Sequence, residues 1–479
     1  MSSNDVQAAP AATGFFAKLK GSAPTATQEQ AKVSAFDAVM PESARGRERF
    51  IPVTRFALLD RLTAATAWPA GHAKEARRFF RYLDHWRRQQ YNAQLNELEE
   101  TYEPFSPDSD LLMTRAFTPD EREVMQMRVI DGMTRILTQA NYVRIDHNDV
   151  EQILTRESAY GLDLQVDLNV FDEVLLYYRG ASSKRDQRRR WHKFYLREQF
   201  DIPLFQRLFL LFKLKPLDKR VREVMQEKKL NRREAEKIVK RERDSMPPAI
   251  KENCIYMKLF KNIPRSDIEM VFPNTRVQFR FFDKLRLGAT AGGGLGLGAF
   301  GAAGKIALLA TNPIAAAGAL VGLGGIAFRQ AVNFMNQKQR YMVVMAQNLY
   351  FHAMADNRGV MLKLGARAAE EDIKEEMLLY CVLTKERAKR QDIPDIDAAI
   401  EQYLAASFGV SVDFDISDAL DRLIADGLVV EHRDGRLEAL APQDAAAHID
   451  RKWDAFLDEL PEPVSAEGME FEGNAVSPA

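Results

Sequence analysis

Paired cysteines are missing from this sequence. Cys254 and Cys381 are the only two in 479 residues, and neither sits in a CxxC pair. A disulfide framework is excluded, and the usage suits a reducing compartment. Ligand clusters are missing too. The seven histidines (His72, His85, His147, His192, His352, His432 and His448) form no i, i+4 pair and have no cysteine at ligand spacing, so no metal site is expected. There is no GxSxG nucleophile elbow. The glycines at 294, 296 and 298 lack the preceding strand and later carboxylate of a dinucleotide fingerprint. Gly304-Lys305 is followed by Ile306 where a phosphate loop needs Ser or Thr for magnesium. No catalytic residue and no cofactor is expected. Cys254 and Cys381 occupy apolar periodic positions, where a buried inert thiol is the common outcome.

Net charge is also missing: 67 basic and 68 acidic side chains leave −1. No global field recruits nucleic acid or anionic lipid. That balance hides segregation. Lys184 to Arg197 holds seven basic residues and one acid, and Lys213 to Arg243 holds thirteen and six. From Glu370 onward there are twenty-seven acids and ten bases. Mean hydropathy of −0.32 hides a second contrast, because Leu287 to Phe328 carries a single charge, Lys305.

Residues 1–45 are rich in Ala, Ser, Thr, Gln and Pro and read as a disordered arm. No apolar run follows a basic start, so no signal peptide is expected. Residues 46–160 read as a helical region. Thr118-Pro119-Asp120-Glu121 is a capping box with Pro at the first helical position, and Arg77 to Glu100 is a second, highly charged helix. From 161 to 283 the period changes to two. Leu164, Val166 and Leu168 alternate with polar residues, and Val174 to Tyr178, Phe205 to Lys215, Cys254 to Phe260 and Arg276 to Phe282 read as strands of a mainly antiparallel sheet. A charged insertion at 219–250 interrupts them as an exposed helical element.

Residues 284–330 are the most informative. Two uncharged runs, Leu287 to Gly304 and Ile306 to Phe328, flank Lys305. About 20 apolar residues cross a bilayer as a helix, so the segment predicts a two-span hairpin. Lys284 and Arg286 precede it and Arg329, Lys338 and Arg340 follow it. Both ends therefore want the cytoplasmic face; the alternative is a buried hairpin in a soluble core. Gly288, Gly292 and Gly296 recur every four residues, as do Gly294 and Gly298, and Gly318 and Gly322. Such faces let helix backbones approach closely, either to pack the two arms together or to self-associate. A long helix or linker follows at 331–365.

Residues 366–445 read as a winged-helix-like unit. Three helical segments lead to Leu428-Val429-Val430 and Leu437 to Leu440, joined at Asp434-Gly435, a type I′ hairpin signal. The third helix and its lead-in carry Asp413, Asp415, Asp418, Asp421 and Asp426 against Arg422 alone. Carboxylates repel phosphates, so protein docking is expected and nucleic acid is not. Glu370-Glu371-Asp372 and Glu375-Glu376 are expected to face water. An acidic tail, 446–479, closes the chain.

Several stretches resemble one family. They are Arg49 to Val53, Tyr178-Arg179-Gly180, Leu208 to Lys215, Met257 to Pro264 (MKLFKNIP), Asp267 to Pro273 (DIEMVFP), Phe282 to Leu285, Gln347 to Tyr350, Asn357-Arg358-Gly359 and Ile373 to Tyr380 (IKEEMLLY). Together they are similar to the family catalogued as domain of unknown function 3754, to which transmembrane protein 143 of animals belongs. The resemblance implies a membrane protein with two adjacent spans and no assigned activity, and it brings no catalytic residues.

The expected fold is therefore α+β and multi-domain: a helical region, a mainly antiparallel sheet, a two-helix membrane hairpin and a C-terminal winged-helix-like unit. The expected role is a non-enzymatic scaffold or regulator at the cytoplasmic face, multi-pass, with both termini cytoplasmic. An oligomeric transport or pore component and an enzyme with an unrecognised site in the sheet remain alternatives. Expected partners are membrane lipids, and a protein or a second copy through the hairpin or winged-helix unit. Arg188, Arg189, Arg190, Lys193, Arg232 and Arg233 are the candidate lipid-surface contacts, set against an ordinary solvated face.

Overall fold

The computed structural model describes residues 48–64, 67–69, 71–110, 116–146, 163–189, 197–244, 246–278, 343, 346–347, 349–413 and 416–459. The predicted arm, the hairpin at 284–330 with the seven glycines singled out for helix packing, and Arg190 and Lys193 lie outside the described residues. Among the described residues no helix is long and apolar enough to cross a membrane. The architecture is α+β and divides into two compact units.

The helical unit comprises residues up to Val143, Arg179–Ala181 and residues from Asn357 onward. Its elements are α1 (Arg55–Leu62), α2 (His72–Tyr102), α3 (Pro119–Gln139), α6 (Asn357–Leu383), α7 (Ile393–Phe408), α8 (Ser417–Ala425) and α9 (Pro442–Glu459). The predicted capping box is formed: Thr118 accepts from the Glu121 backbone N–H, and Glu121 reaches back to Thr118. Along α2, Phe79, Phe80, Leu83, Trp86, Tyr91, Leu95 and Leu98 recur every three to five residues and are buried, the stripe an amphipathic helix needs. Two glycines let partners close on it. A Cβ on Gly132 of α3 would stand 2.7 Å from a Leu98 methyl, and one on Gly365 of α6 would stand 2.5 Å from a Leu95 methyl.

The C-terminal region carries helices α6 to α8 and a small antiparallel sheet. Gly409 ends α7 in the left-handed region. Strands β8 (Ala388–Lys389), β9 (Val429–Glu431) and β10 (Arg436–Ala439) form a sheet in the order β8-β10-β9. The wing turn differs from expectation. Gly435 has positive φ but Asp434 does not, which a type I′ turn forbids. Instead the Gly435 N–H donates to the His432 carbonyl and the His432 N–H to the Arg436 carbonyl. This is a longer loop with glycine alone in the left-handed position. Residues 446–459, expected as acidic tail, form most of α9, with Ala445, Ala446 and Ile449 buried.

The sheet unit comprises Arg144–Tyr178 and Ser182–Asp356. Its strands are β2 (Asp163–Gln165), β3 (Phe171–Arg189), β4 (Arg197–Leu214), β5 (Ile255–Pro264), β6 (Arg276–Gln278) and β7 (Ala353–Asp356). With β1 (Val143–Arg144), the larger sheet runs β1-β3-β4-β5-β7, and β2 pairs with β6 in a second. Strands β4 and β5 are antiparallel, with Phe209 opposite Leu259 and Lys213 opposite Ile255. Leu208 to Phe212 are buried in succession, so both faces of β4 are covered. Phe212 stacks on Tyr256 with centroids 5.1 Å apart. The charged insertion folds as α4 (Leu217–Lys228) and α5 (Arg232–Asp244) around a small core of Val221, Val224, Ala235 and Val239. Its one buried cation, Arg220, pairs with Asp167, Glu223, Glu227 and Glu242.

Candidate functional site

The chemistry of the helical unit is concentrated on α6. Its residues 371–383 are all buried, and the first six of them read Glu371-Asp372-Ile373-Lys374-Glu375-Glu376. The expectation that these acids face water is overturned: Glu371 and Glu376 are 0% exposed, Lys374 1% and Asp372 2%. Unpaired, such charges would cost several kcal/mol each. They are paired.

At one end, Glu371 Oε1 accepts from Arg179 Nη2 at 2.8 Å and from Lys374 Nζ at 2.9 Å, while its Oε2 accepts from the Ile51 backbone N–H at 3.2 Å. Lys374 also donates to the Ile51 carbonyl at 2.6 Å. The Arg179 guanidinium lies over the Phe50 ring, 4.0 Å from its centroid. Burial pushes the Arg179 and Lys374 cations below their ordinary values, against the pull of Glu371.

In the middle stands Arg422, turned inward from α8. Its Nε donates to Glu376 Oε1 at 2.8 Å, and its Nη2 reaches Glu375 Oε2 at 3.0 Å and Asp372 Oδ1 at 3.3 Å. Asp372 Oδ2 accepts from the Tyr91 hydroxyl at 2.7 Å, and Glu375 Oε1 from the Asn141 amide at 3.2 Å. At the far end, Arg87 of α2 bridges Glu376 at 2.9 Å and Asp426 at 2.7 Å. Asp426 also accepts from the Trp86 indole N–H at 3.2 Å and from Lys452 of α9 at 3.0 Å.

Five carboxyl groups thus meet five bases: Glu371, Asp372, Glu375, Glu376 and Asp426 against Arg87, Arg179, Lys374, Arg422 and Lys452. Their protonation differs by position. Burial raises Glu375 to about 8, with Asp372 adding repulsion and Arg422 opposing. Burial, aided by Glu376 and opposed by Arg422, raises Asp372 to about 6. Burial also works against the Asp426 charge, but Arg87, Lys452 and the Trp86 indole hold it below its usual range. The arrangement fastens α2, α6, α8 and α9 by charge and can take up or release a proton near neutrality.

The other candidate residues are dispersed. Arg232 and Arg233 are exposed on α5, and Arg232 pairs with Asp218 and Glu236. Arg188 and Arg189 fall in the span of β3. On α8, Asp418 and Asp421 are exposed, with Asp421 paired to Arg390, while Asp426 is buried; Asp415 lies outside the described residues. Cys254 and Cys381 are buried thiols, and burial pushes the Cys381 thiol up to about 12. Among the described residues no group of three or more His, Cys, Asp or Glu could hold a metal ion.

Pattern reasoning missed the network because a run of acids on a helix normally marks a solvated face. The overlooked signal is the sequel, Met377 to Leu383. Seven consecutive residues without a charge span nearly two turns. That helix has no side left for water, and the turns before it share its surroundings.

Comparison with known proteins bears on the sheet unit. Residues 171–359 match the family described as protein of unknown function (DUF3754). Over these residues the chain is similar to that family. The match runs from the start of β3 to the first residues of α6; it takes in Arg179 but none of the network's carboxyl groups on α6, and it does not include the resembling stretches at 49–53 and 373–380. No solved structure matches the chain.

Proposed function

We propose that the protein is a non-enzymatic scaffold anchored in a membrane by a two-helix hairpin over residues 284–330, with its folded units and both termini on the cytoplasmic face. One observation carries this. Strands β6, paired to β2, and β7, paired to β5, both belong to the sheet unit. Between them lie the two uncharged runs, Leu287 to Gly304 and Ile306 to Phe328. A chain that departs from and returns to one compact unit crosses a bilayer an even number of times, and forty-two residues supply two crossings. The basic flanks, Lys284 and Arg286 before and Arg329 after, favour the cytoplasmic side for both ends. Arg232 and Arg233, exposed on α5, would then be offered to anionic headgroups.

The winged-helix part serves protein docking. Its α8 spends Arg422 on the interior and leaves Asp418 and Asp421 outside. A surface of that sign repels phosphates and attracts basic protein faces. The hairpin is tested by alkaline carbonate extraction of membranes and by protease access to tags on the two termini. Retention in the pellet with both tags cleaved from the cytoplasmic side is expected. Release by carbonate, or tags on opposite sides, would contradict the proposal.

A further inference from the structure

A cleft of about 250 Å³ lies between α2 and α9, lined by Tyr82 and His85 from one and Ile449, Asp450 and Trp453 from the other. The ion network does not use these five side chains. Trp453 is 46% exposed, a large ring left open to water beside a carboxylate. Tyr82 is half-buried, and Asp450 and His85 are exposed.

Two aromatic rings, an aliphatic floor and one carboxylate form a wall set with a defined preference. Ring faces attract cations through their quadrupole, and a carboxylate adds a full negative charge. The cleft offers few hydrogen-bond acceptors, so a strongly hydrated ammonium would lose water without replacement. An alkylated cation spreads its charge over methyl groups and fits ring faces without needing acceptors. A cation already lies against the ring of one lining residue. The Arg78 guanidinium lies over the Tyr82 ring, 5.2 Å from its centroid, and Asp450 draws it electrostatically. Arg78 is exposed, and among the described residues it is held by Tyr82, a loose pair with Glu75 at 3.9 Å and the pull of Asp450, so a ligand can compete with it.

We propose that this cleft binds a methylated ammonium group, with Tyr82 and Trp453 as its aromatic walls and Asp450 as its counter-charge. Arg78 acts as an internal competitor. The group could be a free choline-like cation or a lipid headgroup.

The test is a titration of the full chain with choline, using 3,3-dimethyl-1-butanol as the neutral isostere of the same shape. Choline should bind about tenfold more tightly than the isostere. Trp453→Ala and Asp450→Asn should each weaken choline about tenfold. Arg78→Ala should strengthen it. All three positions are solvent-exposed, so these variants leave the core intact, and unchanged thermal unfolding verifies that. Competition by phosphatidylcholine vesicles assigns the group to a lipid headgroup, and choline binding untouched by such vesicles assigns it to a free cation. Equal binding of choline and its isostere, no binding of either, or choline binding indifferent to Trp453→Ala would overturn the proposal.

Discussion

In the sheet unit, Leu208 to Phe212 are buried one after another with no charge among them; in the helical unit, Glu371 to Glu376 are buried one after another with five charges among six residues. The first run is held as ordinary β cores are, by apolar area and ring contacts such as Phe212 on Tyr256. The second is held by matched charge. Apolar burial is forgiving of detail and largely indifferent to pH. A buried ion network is neither, because each partner's removal strands another charge. The contrast says where each unit is vulnerable and under what conditions.

The largest break in that comparison should come from Arg422→Ala. Three carboxyl groups, on Asp372, Glu375 and Glu376, lose one guanidinium. The expected cost is about 3–5 kcal/mol, read from denaturant unfolding followed by hydrogen exchange in α6 and α8. Arg232→Ala, removing an exposed cation with two exposed partners, should leave the unfolding transition essentially where it is. Equal effects from the two arginines would mean that burial of the network contributes nothing.

A smaller effect separates the units by pH. Glu375 is raised to about 8 by burial, so the folded chain keeps a proton that the unfolded chain has lost. The stability it provides is complete below the ordinary carboxylate range and lost as pH climbs through about 8. Relative to Glu375→Gln, the wild type should lose roughly 1 kcal/mol per pH unit across that window. Identical slopes for the two proteins in thermal melts from pH 5 to 8 would refute the assignment.

The smallest expected effect concerns local structure alone. Thr118→Ala removes the capping box of α3 and should cost about 1 kcal/mol, with no pH dependence in the same window. A pH-dependent loss would tie this exposed cap to the network.

Much of the fold was legible in the residues. The Thr118 cap, the strands around Leu208 and Met257 and the helical character of the charged insertion follow from local pattern and turn chemistry, which act over a few residues. Joining residues up to Val143 and from Asn357 into one unit was not legible, because the contacts that join them, such as Trp86 to Asp426 and Ile51 to Glu371, span more than 300 positions. The network was hidden for the same reason. Arg87, Arg179 and Arg422 are its counter-ions, but each looks like any other surface arginine on its own segment. The wing turn failed more locally: Asp434-Gly435 fits type I′, yet the closing pair, His432 with Arg436, lengthens the loop and moves aspartate out of the left-handed region.

Hydrogen exchange of the intact chain at pH 5 and pH 8, corrected for intrinsic amide rates, tests the contrast most directly, since protection reports local stability. Amides of residues 371–383 should lose protection as pH rises, while those of 204–213 and 255–263 keep theirs. Unchanged protection in 371–383, or a parallel loss in both units, would contradict the account.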